Sequence, residues 1–250
     1  MCNLLRKLSI SSHANFRLLH NGRLVRFCTS TGRSFGRHLD SIWSHNRLPN
    51  NRSNRFEVAN KINGLLSTGN DLIGPFWCST DDATFPYIPQ SQPRQPFQSA
   101  QGFSIVQRRL TDLRARSGTP FRLFGQGSVG SQTLTGIPRL HELRFAPEFA
   151  QRSLVWPFET GWATKAKWVD ERISIVHAEI YPKDEYFEDT IKDRGQVRAM
   201  WDWARNLDRE DRLWFEFSRP IEIDPGSPED ITVQLTEGWI LRSSSTARPQ

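Results

Sequence analysis

The segment I-V-H-A-E-I-Y-P at residues 175–182 decides the fold class. It is an apolar run of strand length that ends at a proline, and it predicts a strand over 173–180. A second strand is predicted at 153–158, where V-W-P-F precedes Glu159. Glu159 and Glu179 each lie near the end of an apolar run, beside a turn-forming Gly or Pro. Because α/β proteins tend to keep acidic site residues just past their strand ends, both glutamates are candidate site residues.

Helical patterns flank these strands. Helices are predicted at 55–68, with Asn54 as N-cap, and at 104–116. A third helix is predicted after a Gly-rich phrase, with Pro138 in its first turn. Two more are predicted at 194–208, with a buried face of Val197, Trp201 and Ala204, and in the short segment that begins at 228. Mixed strands and helices indicate a single α/β domain over residues 41–242. Residues 74–102, rich in Pro, Gln and Ser, are expected to form a long surface loop, and residues 243–250 a disordered tail.

Composition excludes several classes of protein. Hydrophobic residues make up 37% of the 250 residues and aromatic residues 11%, which indicates a globular chain. No apolar stretch reaches the roughly 20 residues of a membrane span. The three cysteines are far apart and form no C-x-x-C pair, which favours a reducing, cytoplasmic location.

The net charge of +6 comes from the N-terminal tail. Residues 1–39 contain seven Lys or Arg and no acid, which leaves 26 basic and 27 acidic residues in the rest of the chain. The body therefore does not indicate a nucleic-acid-binding face by its overall charge. We expect residues 1–40 to be a disordered or non-native extension that contributes little to stability; the alternative is an organellar targeting segment.

The phrase G-Q-G-S-V-G at residues 125–130 has the spacing of a dinucleotide fingerprint without its β-α-β context, so NAD or FAD binding is not expected. Two interpretations remain open: a loop that lines a substrate site, or a structural turn. In the first, the loop donates hydrogen bonds to an anion or a substrate. The predicted substrate-binding residues are Gly125, Gly127, Ser128, Gly130, Ser131 and Gln132, with Gln196 from the 194–208 helix.

The acids are the strongest chemical candidates. Two carboxylates at neighbouring strand ends can bind Mg²⁺ or Mn²⁺, which prefer oxygen ligands, so Glu159 and Glu179 are predicted metal ligands and catalytic residues. Asp193 is a third candidate catalytic acid. The alternative is that Glu159 caps the next segment and Asp193 is the N-cap of its helix. The histidine spacings do not indicate a zinc site, and no nucleophile motif is present.

Several phrases give the chain a family resemblance. They are N-R-F-E-V-A (54–59), G-P-F-W (74–77), the Gly-rich phrase, W-P-F-E-T-G-W (156–162), A-E-I-Y-P (178–182), K-D-R-G-Q-V-R-A (192–199) and E-G-W-I-L (237–241). Over residues 40–241 the chain resembles uncharacterised bacterial proteins related to the ribonuclease-H-like superfamily of predicted nucleases. The resemblance implies a mixed sheet flanked by helices and metal-dependent phosphodiester or phosphate hydrolysis, on nucleic acid or a phosphorylated small molecule.

The resemblance also implies a loss. Such proteins begin with a strand that carries an Asp, followed by an F-D-F-type strand, and residues 1–53 contain neither phrase. The chain is therefore expected to be a truncated or frame-disturbed member with an incomplete ribonuclease-H-like sheet, and inactive. The competing hypothesis is a non-catalytic binding protein or remnant associated with cobalamin or molybdopterin biosynthesis.

Overall fold

The computed structural model describes residues 53–67, 74–79, 84–93, 96–98, 104–125, 128–164, 173, 175–182 and 188–243, and the backbone of residues 8–12. In these ranges the chain order of elements is β1 Leu8–Ser12, α1 Arg55–Leu66, β2 Phe97–Gln98, β3 Ser104–Ile105, α2 Leu110–Ala115, α3 Gly130–Phe145, β4 Ser153–Val155, β5 Ile175–Ile180, α4 Lys192–Arg209, a 3-10 helix Leu213–Phe217, α5 Pro228–Thr232, a π-helical turn Val233–Glu237 and β6 Ile240–Leu241. The predicted mixture of helices and strands is confirmed.

Strand β5 is the centre of the main sheet. It pairs in parallel with β1, β4 and β6. Val155 of β4 lies opposite His177, and Glu179 lies opposite Ile240 of β6. Strands β2 and β3 form a separate antiparallel pair. The carboxyl ends of β4 and β5 therefore lie at the same edge of the sheet.

The chain divides into two compact units, Ala14–Arg139 and Met1–His13 with Leu140–Gln250. The single domain predicted over 41–242 stays a prediction. In Ala14–Arg139 the core forms around α1, which buries Val58, Ala59 and Ile62. The predicted helix and its N-cap position are confirmed, although the Asn54 side chain makes no cap hydrogen bond.

Asn63 joins α1 to the segment that follows it. Its side-chain amide donates to the carbonyls of Phe76 (2.9 Å) and Tyr87 (2.6 Å), and its Oδ1 accepts from the Phe76 N–H at 3.1 Å. The close approach requires Gly74, because a Cβ at that position would lie 2.2 Å from the Asn63 side chain. A fully buried amide thus satisfies three backbone groups that would otherwise be left without partners.

The described parts of residues 74–102, predicted to form a surface loop, contribute side chains to the core. Phe76, Ile88 and Phe97 are buried there, and Phe76 packs edge-on against Phe121. A few apolar residues spaced among prolines and glutamines are enough to fix the segment on a core that other elements provide.

The predicted helix at 104–116 is also corrected. Only Leu110–Ala115 is helical, and Val106 and Leu113, which a helix over 104–116 would place on its buried stripe, are exposed. The buried group is instead the ion pair Arg109–Asp112, at 2.8 Å, with both side chains fully buried. Asp112 also accepts hydrogen bonds from the Arg109 N–H and the Ser117 hydroxyl. Because the buried face of this segment consists of polar residues, the spacing of its apolar residues indicated the wrong face.

In the other unit, Trp156 anchors the core beside the sheet. Its indole N–H donates to the Phe217 carbonyl at 3.0 Å, and its ring packs edge-on against Phe217 and Trp162. The peptide bond between Trp156 and Pro157 is cis. These contacts hold the 3-10 helix and the turn after β4 together.

Two helix predictions need correction. Helix α3 begins at Gly130, so Pro138 lies inside it rather than in its first turn. Helix α4 buries Ala199, Met200 and Ala204, whereas Val197 and Trp201 of the predicted buried face are exposed.

The N-terminal segment is described only in part. Strand β1, Leu8–Ser12, aligns with Val176–Ile180 of β5. The rest of residues 1–40 and the tail at 244–250 lie outside the described residues, so the small contribution of residues 1–40 to stability stays a prediction. Among the described helices, none combines the length and apolarity needed to cross a membrane.

Candidate functional site

Glu159 lies in the turn that follows β4, and both oxygens of its carboxylate accept hydrogen bonds. Arg144 of α3 donates from Nη2 to Oε1 at 2.7 Å and from Nε to Oε2 at 2.9 Å. The Val155 N–H donates to Oε2 at 2.7 Å, while the Glu159 N–H donates to the Val155 carbonyl at 2.8 Å. Glu159 therefore closes the end of β4, and a bidentate arginine neutralises it. The alternative in which Glu159 caps the next segment is wrong, because its carboxylate binds the end of the preceding strand instead.

Arg144 is the residue that the sequence analysis missed here. Its Nη1 also donates to the Ala150 carbonyl at 2.9 Å, and its side chain is only 11% exposed. The guanidinium thus ties the end of α3 to the turn after β4. A metal ion at Glu159 would have to displace or share these charge-assisted hydrogen bonds.

Beside this ion pair lies a buried polar pair, Ser153 and His177. The Ser153 Oγ and the His177 Nε2 are 2.7 Å apart, and both residues are fully buried. The His177 Nδ1 is also buried, and among the described residues it has no hydrogen-bond partner. Burial, reinforced by the positive charge of Arg144 and opposed by the negative charge of Glu159, lowers the pKa of His177 to about 4. The imidazole is therefore neutral at physiological pH.

Glu179 is the second predicted ligand and is buried in β5. Alternation along the strand places it on the same face as His177, opposite the face of Val176 and Ala178. Glu159 lies in the turn after β4, which ends at Val155 rather than at the predicted 158, and Glu179 lies inside the neighbouring strand β5. In the described part of the chain, no group of three or more His, Cys, Asp or Glu side chains is arranged to hold a metal ion. Metal binding by Glu159 and Glu179 stays a prediction.

Asp193 is exposed in the first turn of α4 and is not its N-cap, which is Ile191. The acid that fixes the helix start is Asp189. It accepts from the Ile191 N–H at 3.0 Å and forms ion pairs with Arg194 and Arg198 at 2.7 and 2.8 Å. The Arg194 hydrogen bond, with the Ile191 N–H and both guanidinium charges, holds the pKa of Asp189 well below its usual range. The N-cap alternative for Asp193 is therefore wrong.

Gln196, predicted to bind substrate, donates from Nε2 to the Pro182 carbonyl at 2.7 Å. This hydrogen bond ties α4 to the segment that leaves β5. A positioning role for Gln196 is thus visible, and substrate binding by it stays a prediction.

The Gly-rich phrase forms a turn into α3. Gly125 has a φ of +90°, and a Cβ on Gly130 would lie 2.6 Å from the Arg122 carbonyl oxygen. The Ser131 hydroxyl donates to the Leu123 carbonyl at 2.7 Å, and the Ser128 N–H donates to the Gly125 carbonyl at 3.1 Å. These contacts favour the structural-turn interpretation, because the phrase uses its polar groups internally.

Gln132 is exposed, and Gly127 lies outside the described residues. The phrase belongs to Ala14–Arg139 and the two glutamates belong to the other unit, so a cleft shared by them stays a prediction.

A buried acid near the C-terminus was not anticipated. Asp230 accepts hydrogen bonds from the Trp162 indole (2.6 Å), the Gly226 N–H (2.8 Å) and the Gln234 amide (2.8 Å). Burial by itself raises the pKa of Asp230, but these three donors and the charge of Arg219 outweigh it, and the pKa is lowered. Trp162 is half-buried, and its indole N–H donates to the Asp230 carboxylate.

Comparison with known proteins matches the chain to no family model, no curated protein and no solved structure. The resemblance to ribonuclease-H-like proteins therefore stays a prediction that rests on the quoted phrases.

Proposed function

We propose that this protein is a non-catalytic binding protein rather than a metal-dependent hydrolase. The observation that carries the proposal is the engagement of Glu159, whose two carboxylate oxygens accept three hydrogen bonds from Arg144 and Val155. Catalytic carboxylates in metal sites keep oxygen atoms available for the ion. At Glu159 a guanidinium already supplies the compensating positive charge, so the acid stabilises the turn after β4.

The second candidate is metal-dependent phosphodiester or phosphate hydrolysis by an incomplete ribonuclease-H-like domain. One observation favours it: Glu159 and Glu179 follow or end two strands that are parallel and hydrogen-bonded neighbours. In this alternative Glu159 exchanges Arg144 for Mg²⁺ or Mn²⁺, and Asp193 supplies a third acid. A role in cobalamin or molybdopterin biosynthesis belongs to the binding-protein proposal and has only the family resemblance behind it.

Metal titration separates the two candidates. The melting temperature of the full chain is measured with and without Mn²⁺ or Mg²⁺, for the wild type, for the double variant Glu159→Gln with Glu179→Gln, and for the exposed control Glu148→Gln. Specific binding at a hundred times Kd would stabilise the folded state by about 2.7 kcal/mol.

We expect the metal to change the melting temperature of all three proteins equally. An increment of several degrees in the wild type and Glu148→Gln, absent from the double variant, would overturn the proposal and support the hydrolase. Because each protein is compared with itself, loss of the Arg144 ion pair in the variant does not affect this difference.

A further inference from the structure

Helix α4 has an exposed face that combines arginines with large apolar side chains. Val197 is 53% exposed and Trp201 is 50% exposed, one helical turn apart. Ile191, at the N-cap, is 55% exposed. At about 100° per residue, Arg194, Arg198, Arg205 and Arg209 lie on the same side of the helix as Val197 and Trp201. These residues are called the α4 face below.

The α4 face has a positive charge that its own acids do not cancel. Residues 192–209 contain five basic and three acidic residues. Arg194 and Arg198 share the single buried carboxylate of Asp189, which leaves one positive charge over. Arg205 stacks on Trp201, with its guanidinium carbon 4.9 Å from the ring centroid. Stacking of this kind holds the tryptophan side chain in place. Trp and Arg are among the residues that contribute most to the binding free energy at protein interfaces.

The same chain carries a surface of the opposite character. Residues 220–237 contain five acids and no Lys or Arg, and only Asp230 among those acids is buried. Three large apolar side chains are exposed between them: Ile221 at 82%, Ile231 at 51% and Leu235 at 63%. Ile231 and Leu235 are four residues apart on consecutive helical turns, so they form one ridge. Residues 220–237 are called the acidic face.

The two faces match in charge and in apolar content. We propose that the protein self-associates, with the α4 face of one copy bound to the acidic face of a second copy. A two-fold arrangement makes this contact twice, since each copy presents both faces. Apolar ridges on both sides favour a protein over a nucleic acid as the occupant, because Val197 and Ile191 offer no hydrogen bond to a phosphate or a base. This surface gives the proposed binding protein a partner, but it involves neither Glu159 nor a metal.

Sedimentation velocity of the full chain, from about 1 to 300 μM and without metal, tests the proposal. We expect a concentration-dependent dimer that weakens as salt is raised from about 0.05 to 0.5 M. Arg205→Glu on the α4 face and Glu229→Lys on the acidic face should each weaken the dimer by about tenfold or more. The matched control Arg114→Glu, at an exposed position of α2, should leave it unchanged.

Mixing the two charge-reversed variants gives the decisive result. In a mixed dimer both contacts again join opposite charges, so we expect an equimolar mixture of Arg205→Glu and Glu229→Lys to recover the wild-type dissociation constant to within about threefold. Recovery also shows that neither variant is misfolded.

A wild-type chain that stays monomeric over this range overturns the proposal, as does a mixture that stays dissociated while circular dichroism shows both variants folded. A monomer that binds a labelled oligothymidylate, and loses that binding in Trp201→Ala, would assign the α4 face to nucleic acid instead. The metal titration is read separately, so this proposal can fail while the proposed function stands.

Discussion

His177 should make the protein sensitive to mild acid. The folded-state pKa is about 4, below the ordinary value of 6.5. Between these two pH values the unfolded chain binds a proton that the folded protein rejects. The stabilisation is therefore fully present above pH 6.5 and is lost as the pH falls toward 4.

The size of the effect follows from the same two values. The difference corresponds to roughly 3 kcal/mol. We expect about 2 kcal/mol of it down to pH 4.5, because that pH lies above the folded-state pKa. Besides burial, the positive charge of Arg144 lowers the pKa of His177, because it repels a positive charge on the imidazole. The negative charge of Glu159 acts in the opposite direction and makes this pKa shift smaller. Ser153 is the only described hydrogen-bond partner of the ring, so protonation would leave a buried cation with one neutral partner.

Urea unfolding followed by tryptophan fluorescence measures this effect. The free energy of unfolding is determined at several pH values between 7.5 and 4.5 for the wild type and for His177→Gln, whose amide can still donate to Ser153. We expect the wild type to lose about 2 kcal/mol more than the variant over this window. Acids with lowered pKa values, such as Asp189, keep their contribution across this window, because it is lost only as the pH falls below their ordinary pKa of 3.8.

Parallel pH profiles for the two proteins would refute the reasoning. So would a proton NMR titration in which the His177 ring titrates near its ordinary pKa. Either result would mean that water or a counter-charge reaches the imidazole.

Two further predictions concern buried polar groups in Ala14–Arg139. Arg109→Met should lower the free energy of unfolding by about 3–5 kcal/mol, because it leaves the Asp112 carboxylate buried without its cation. The double variant Arg109→Met with Asp112→Leu should recover part of this loss. If urea unfolding finds the single variant within about 1 kcal/mol of the wild type, the buried ion pair is contradicted. Asn63→Leu should lower the free energy of unfolding by about 2–4 kcal/mol, because the Phe76 N–H and the Phe76 and Tyr87 carbonyls lose their hydrogen-bond partner. The exposed control Gln132→Leu should change the melting temperature little. Equal melting temperatures for the two variants would contradict the role of Asn63.

The elements that the sequence predicted well are those with local signals. Ile175–Ile180 is a continuous apolar run ended by a proline, and Arg55–Leu66 repeats its apolar residues at helical spacing. Both patterns depend only on backbone geometry and on the need to bury apolar surface. The position of Glu159 and Glu179 near the ends of neighbouring strands was likewise readable from two short phrases.

The partners of those residues were decided by the tertiary structure. Arg144 is fifteen residues from Glu159, and no local pattern distinguishes it from the other arginines. The inner face of α4 contains Ala199, Met200 and Ala204, while Trp201 is exposed. Hydrophobicity identifies residues that can be buried, but only close packing against a particular neighbour determines which of them are. For the same reason a carboxylate predicted as a metal ligand is bound by an arginine: charge neutralisation depends on which cation the fold places beside it.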